Sequence, residues 1–113
     1  MDTKVYSGRR DAADPSTAGG CTVTVDGRTL TLARSLKVRN HSPAGFNWGY
    51  AGSGPAQLAL AILLDYLDDE ELAQRYYQDF KFTYVARWPA DNGWVLTGHE
   101  IDSFVASKLA EAR

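Results

Sequence analysis

The stretch GSGPAQLALAILLDYL, residues 52–67, decides the architecture. Proline suits the first position of a helix, where the N–H it lacks would have no intrahelical partner. The reading therefore starts a helix at Gly54-Pro55, with Ser53 or Gly54 as its cap. From Ala56 to Leu64 only Gln57 interrupts an Ala- and Leu-rich run, and both residues are strong helix formers. A helix that is apolar nearly all round is a buried one, so this element is expected at the centre of the molecule. The run is far shorter than the roughly 18–20 residues that a membrane span needs.

Downstream, the acids Asp68 to Glu71 suit the first turn of a second helix. Leu72, Tyr76, Phe80, Tyr84 and Trp88 recur every fourth residue and predict a helix over about 69–87. Phe80, Phe82, Tyr84, Ala86 and Trp88 also alternate, as a strand would. The helix is preferred because nothing between Asp79 and Lys81 punctuates the chain. Pro89 to Gly93 is a turn, and Trp94 to Leu96 is a short extended piece. Thr97 and Glu100 have the spacing of a capping box. They open a last helix, about 98–111, with Ile101, Phe104, Val105 and Leu109 on its apolar face.

Upstream, Cys21 to Val25 and Arg28 to Leu32 alternate around Asp26-Gly27, a strong hairpin signal. Lys4 to Tyr6 reads as a short strand, Arg9 to Gly20 as a polar loop, and Leu36 to Val38 as a further strand candidate. The expected fold is α+β. A small antiparallel sheet from the N-terminal third (strands and hairpin 21–32) packs on two to three helices, about 55–67, 69–87 and 98–111. At 113 residues, 44% hydrophobic and 23% charged, the chain reads as one globular domain over 1–113. The single cysteine, Cys21, rules out an internal disulfide and a multi-cysteine zinc site. It reads as a small apolar residue at a strand start, or as a thiol that would need a neighbouring base to react. The N-terminal residues lack the apolar run of a signal peptide, so a cytoplasmic location is expected.

The net charge of −2 divides into +3 over residues 1–40 and −5 over 41–113. That asymmetry is too weak for duplex binding, where a pI above about 9 is usual. It leaves a local anion-binding surface open. The acidic group Asp65, Asp68, Asp69, Glu70 and Glu71 reads as a solvated helix junction, or as a lure for a cation or a basic partner.

Residues 39–54 form a long loop rich in glycine and aromatics, and such loops in compact domains are often functional. Gly49, Gly52 and Gly54 lead into a helix start, whose unpaired N–H groups and positive dipole end suit an anion. Arg39 and His41 are candidate counter-charges. Trp48, Tyr50, Gly52, Ser53 and Gly54 complete the candidate ligand-binding set. The glycines equally suit a tight loop under Trp48 and Tyr50. No Lys-Ser/Thr pair follows the last glycine and no βαβ unit surrounds it, so neither phosphate-loop nor dinucleotide fingerprint is present. Phe46, Trp48 and Tyr50 alternate, either as a stacking wall or as a lid on the core. His99, the other histidine, reads as a solvent-facing first-turn residue. No histidine spacing predicts a metal site, and no cofactor is expected.

The block HSPAGFNWGYAGSGPAQLALA, residues 41–61, resembles the signature of a family of small bacterial and phage proteins catalogued as a domain of unknown function. Tyr77 to Lys81 and Trp94 to Thr97 resemble two further blocks of that family, so the likeness spans most of the chain. It implies a prokaryotic, often mobile-element setting, and no activity. Three functions are expected. The first is a non-enzymatic binding protein whose loop 39–54 takes a nucleotide-like anion or a host protein, as a phage counter-defence protein would. The second is a small hydrolase or transferase using His41 with Ser42 or Ser53. The third is an interaction module whose aromatics are buried in a homodimer.

Overall fold

A computed structural model describes residues 4–11 and 20–112. The elements follow in the order β1 (Val5–Arg10), β2 (Cys21–Val25), β3 (Arg28–Thr29), α1 (Ala33–Val38), α2 (Ser53–Leu67), α3 (Glu70–Thr83), β4 (Trp94–Thr97) and α4 (Gly98–Glu111). The sheet is antiparallel throughout, in the order β3-β2-β1-β4. The fold is the expected small α+β one, with β1 and β2 central in the sheet and α2 central among the helices.

Strand alternation assigns one sheet face to the core. Tyr6, Val23, Val25, Trp94 and Leu96 are buried there, in one cluster with Ala56 to Leu64 of α2 apart from Gln57. The opposite face carries Val5, Thr24, Thr29 and Val95. Gly8 makes one close approach possible. A Cβ there would lie 2.3 Å from Nε1 of Trp94, so only glycine lets the indole lie flat on β1. Trp94 then stacks on Trp88 at 3.9 Å and meets Trp48 edge-on at 5.8 Å.

Several expectations need correction. Leu36 to Val38 are helical, inside α1. The turn brings Ser35 over Leu32, whose carbonyl accepts the Ser35 hydroxyl at 2.9 Å. The hairpin's second strand stops at Thr29, because the chain turns into α1 while Leu30 drops into the core. Leu30 keeps one ladder bond, donating its N–H to Val23 at 2.9 Å. Arg9 and Arg10 extend β1 and are not loop; residues 12–19 of the expected loop lie outside the described residues. The cap of α2 is Gly52, with Ser53 and Gly54 inside the helix and Pro55 third. Proline is acceptable there because the first intrahelical bond is made by Ala56, whose N–H reaches the Gly52 carbonyl at 3.0 Å. The helix predicted to run to 87 ends at Thr83, and Val85–Arg87 form one 3₁₀ turn. The capping box of Thr97 and Glu100 is present in full. No helix among the described residues is long and apolar enough to cross a membrane.

Only Asp68 and Asp69 separate α2 from α3. Asp68 takes the left-handed conformation, φ 49°, and the Asp69 side chain accepts the Leu72 N–H. Asp65 is not part of a solvated junction. Its carboxylate accepts the Tyr6 hydroxyl at 2.6 Å and pairs with Lys4 at 3.2 Å and Arg28 at 3.8 Å. Burial first, and the bond to Asp65 second, push the Tyr6 phenol far above its usual range. The Tyr6–Asp65 bond ties the central strand to the central helix. A hydrogen bond to a charged group is worth about 1.5–3 kcal/mol. Tyr6→Phe should therefore lower the unfolding free energy by about that amount in urea titrations, with an unchanged m-value.

Candidate functional site

The loop between α1 and α2 is held from below by one side chain. Gln57 is fully buried in the second turn of α2. Its Oε1 accepts the backbone N–H groups of His41 at 2.7 Å and Ser42 at 2.9 Å. Its Nε2 donates to Ser35 Oγ at 2.8 Å and to the Arg39 carbonyl at 3.0 Å. All four hydrogen-bonding sites of the amide are satisfied. The single polar interruption of the apolar run is thus the anchor of the loop. The sequence showed the interruption; its partners are 15–22 residues away in sequence and left no local signal. Replacing Gln57 with Leu takes the partner from two half-buried N–H groups, a carbonyl and the buried Ser35 hydroxyl. The expected loss is about 3 kcal/mol or more, which calorimetry would read as a fall in Tm on the order of 10 °C.

A second anchor comes from the sheet. Arg10, at the end of β1, donates to Asn47 Oδ1 at 2.8 Å and to Cys21 Sγ at 3.1 Å. Its guanidinium lies 4.6 Å from the Trp48 ring centroid. Trp48 is fully buried, and its indole N–H donates to the Asn92 carbonyl at 2.9 Å. Asn47 also accepts the Trp48 N–H at 2.8 Å. At Gly54 a Cβ would lie 2.6 Å from Cβ of Asn47, so glycine is required for the loop to close down on the helix. Burial pushes the Cys21 thiol up, opposed by Arg10, which is the electrostatics of a structural thiol and not of a nucleophile.

The candidate residues therefore divide. Trp48 belongs to the core, and Gly54 is buried under Asn47. The Tyr50 ring rests on Gly52 yet keeps 48% of its surface exposed. Ser53 is exposed on the first turn of α2. Ser42, Ala44, Gly45, Phe46, Asn47 and Tyr50 line a shallow cavity of about 160 Å³ with Gly54. A second concavity of about 360 Å³ shares Ala44, Gly45 and Phe46 and runs along β2 and residues 29–32. His41 does not bond to either serine. Its Nε2 meets the Tyr77 hydroxyl of α3 at 2.7 Å, and the Ser42 hydroxyl donates to the Gly45 carbonyl at 2.7 Å. Arg39 is exposed at the end of α1. His99 is exposed on the first turn of α4.

Burial, and then the charges of Arg39 and Lys81, lower the His41 pKa. Lys81 is the residue that the sequence reading missed. It hid inside an aromatic periodicity that assigned its neighbours, and not itself, to the core. With its folded pKa depressed, His41 contributes stability above the unfolded value of about 6.5. That contribution is lost as the pH falls through the folded value. Unfolding free energies measured at pH 7.5 and 5.5 should fall more on acidification for the wild type than for His41→Gln.

A family model described as "Family of unknown function (DUF6166)" matches residues 6–107, and the chain belongs to that family. No curated protein and no solved structure matches it.

Proposed function

We propose that this member of the DUF6166 family is a non-enzymatic binding protein that recognises an anionic small molecule or a partner protein through loop 39–54. One observation carries the reading. The loop is anchored from two sides, by Gln57 and by Arg10, yet it holds Tyr50 half in solvent beside two adjoining concavities. The loop turns Trp48 into the core and leaves Tyr50 at the surface. Pre-organisation lowers the ordering cost of binding, and an exposed, immobilised tyrosine is a favoured contact residue. The hydrolase alternative draws no support from the geometry, since His41 and Ser42 each bond elsewhere. In the bacterial or phage setting that the sequence likeness implies, such a protein would sequester a nucleotide-like signal or cover a host protein.

A thermal-shift screen against nucleotides, sugar phosphates and simple anions tests the reading. At about 100 times its Kd a ligand adds roughly 2.7 kcal/mol to stability, a rise on the order of 10 °C in Tm. Tyr50→Ala should cost less than about 1 kcal/mol in stability, as an exposed substitution does, and should abolish the shift. A ligand or partner that binds Tyr50→Ala as tightly as the wild type counts against the loop.

A further inference from the structure

We infer that the cleft between β3, α1 and α2 is a binding site for a small 2-hydroxy carboxylate. None of its lining residues belongs to loop 39–54, so the site stands apart from the binding reading above.

The helix α2 leaves room here with a small residue. Ala61 lies between Leu60 and Ile62 in the apolar run. It lines a cavity of about 120 Å³ together with Asp65, one helical turn later. Arg28, Thr29 and Thr31 line it from the hairpin side, and Arg34 lines it from α1. A cavity of about 150 Å³ holds a benzene-sized molecule, so this one takes a ligand of about five or six heavy atoms.

The polar groups of the lining keep hydrogen-bonding capacity that the chain does not fill. Asp65 Oδ2 accepts the Tyr6 hydroxyl at 2.6 Å and the Lys4 ammonium at 3.2 Å. Among the described residues Asp65 Oδ1 accepts no hydrogen bond; Arg28 Nη2 stands 3.8 Å away, beyond hydrogen-bonding distance. The side chain is only 17% exposed, and a carboxylate oxygen drawn out of water calls for a donor. The Arg28 guanidinium donates no hydrogen bond to any described residue, and Arg34 spends a single N–H, on Asp68 at 2.6 Å. The hydroxyls of Thr29 and Thr31 likewise have no partner among the described residues.

The charges select the ligand. The lining holds the two cations Arg28 and Arg34 against the one carboxylate of Asp65, a surplus of one positive charge. A monocarboxylate balances it, and the guanidinium fork matches carboxylate geometry. The open Asp65 oxygen asks for a donor on the same small molecule. An ammonium is the wrong donor, because Lys4 and Arg28 already stand 3.2 Å and 3.8 Å from that carboxylate and would repel it. A neutral hydroxyl meets no such repulsion. A hydroxyl beside a carboxylate is a 2-hydroxy acid, and glycolate and lactate have the size.

The test titrates L-lactate, propionate and L-alanine into the full chain at neutral pH and matched ionic strength, followed by backbone amide NMR shifts. Lactate should bind and move the amides of 28–35 and 61–65. Propionate, which lacks the hydroxyl, should bind about tenfold more weakly, and alanine should also bind more weakly than lactate. Arg28→Gln and Arg34→Gln are changes at exposed ion pairs that leave folding intact, and each should weaken lactate by about tenfold. Ala61→Leu fills the cavity without altering its charge and should remove lactate binding, its folding being checked by a melting curve. Tyr50→Ala should bind lactate as the wild type does. No lactate binding by the wild type, equal affinity for lactate and propionate, tighter binding of alanine than of lactate, or unchanged affinity in both arginine variants would overturn the site. Lactate binding that is lost in Tyr50→Ala and kept in Ala61→Leu would also overturn it, and would assign the ligand to the loop instead.

Discussion

The structure depends on one buried amide. Gln57 lies in a helix whose other early residues are Ala and Leu, and it is fully enclosed. A buried amide with an unsatisfied end is costly, so the chain around Gln57 must supply two acceptors and two donors. It supplies them from α1 (Ser35), from the end of α1 (Arg39) and from the start of the loop (His41 and Ser42). Those four groups fix where α1 ends and how the chain leaves it. The conformation of the short helix and the entry of the long loop are thus set by a residue that belongs to neither.

The far end of the loop is set by a different kind of contact. Trp48, Trp88 and Trp94 form one aromatic group, and Arg10 lies over Trp48. Because β4 pairs with β1 at the edge of the sheet, the indole of Trp94 reaches the surface of Gly8 and the loop is locked onto the strands. Between the anchors at 41–42 and 47–48 the segment Pro43 to Phe46 arches over the two concavities. The segment is thus tied at both ends while Pro43 and Ala44 stay exposed.

Much of the fold was legible because it is local. The apolar run of α2, the Asp-Gly hairpin, the capping box at Thr97 and the four-residue periodicity of α3 each occupy a few consecutive turns. What was not legible is tertiary. Three residues, Leu36 to Val38, alternate too briefly to decide, and they lie in a helix whose Ser35 hydroxyl accepts from Gln57 far along the chain. Asp65 looked like one more acid in a surface cluster, until the fold placed Tyr6 and Lys4 against it from 59 and 61 residues away. At the candidate site, the sequence named Arg39 and His41 and found the loop. It placed them over the α2 start, whereas the structure packs Asn47 and Tyr50 against Gly54 and Gly52 there and draws the imidazole to Tyr77.

The charge asymmetry of the sequence takes on a different meaning in three dimensions. An N-terminal third at +3 facing a remainder at −5 invites the idea of a cationic surface for anions. Most of that surplus is consumed inside the fold. Lys4 and Arg28 pair with Asp65, Arg34 pairs with Asp68 at 2.6 Å, and Arg10 serves the loop. Lys4, Arg28 and Arg34 are therefore the electrostatic complement of the acidic end of α2. Charges that remain without an internal partner carry more information than the net value does. Arg39 and Lys81 come from opposite ends of the asymmetry, one from the basic third and one from an acidic helix, and both act on His41. A convergence of that kind does not arise from the bulk charge of a segment. It requires the fold, which sets the neighbours of each charge whatever the net value of its segment.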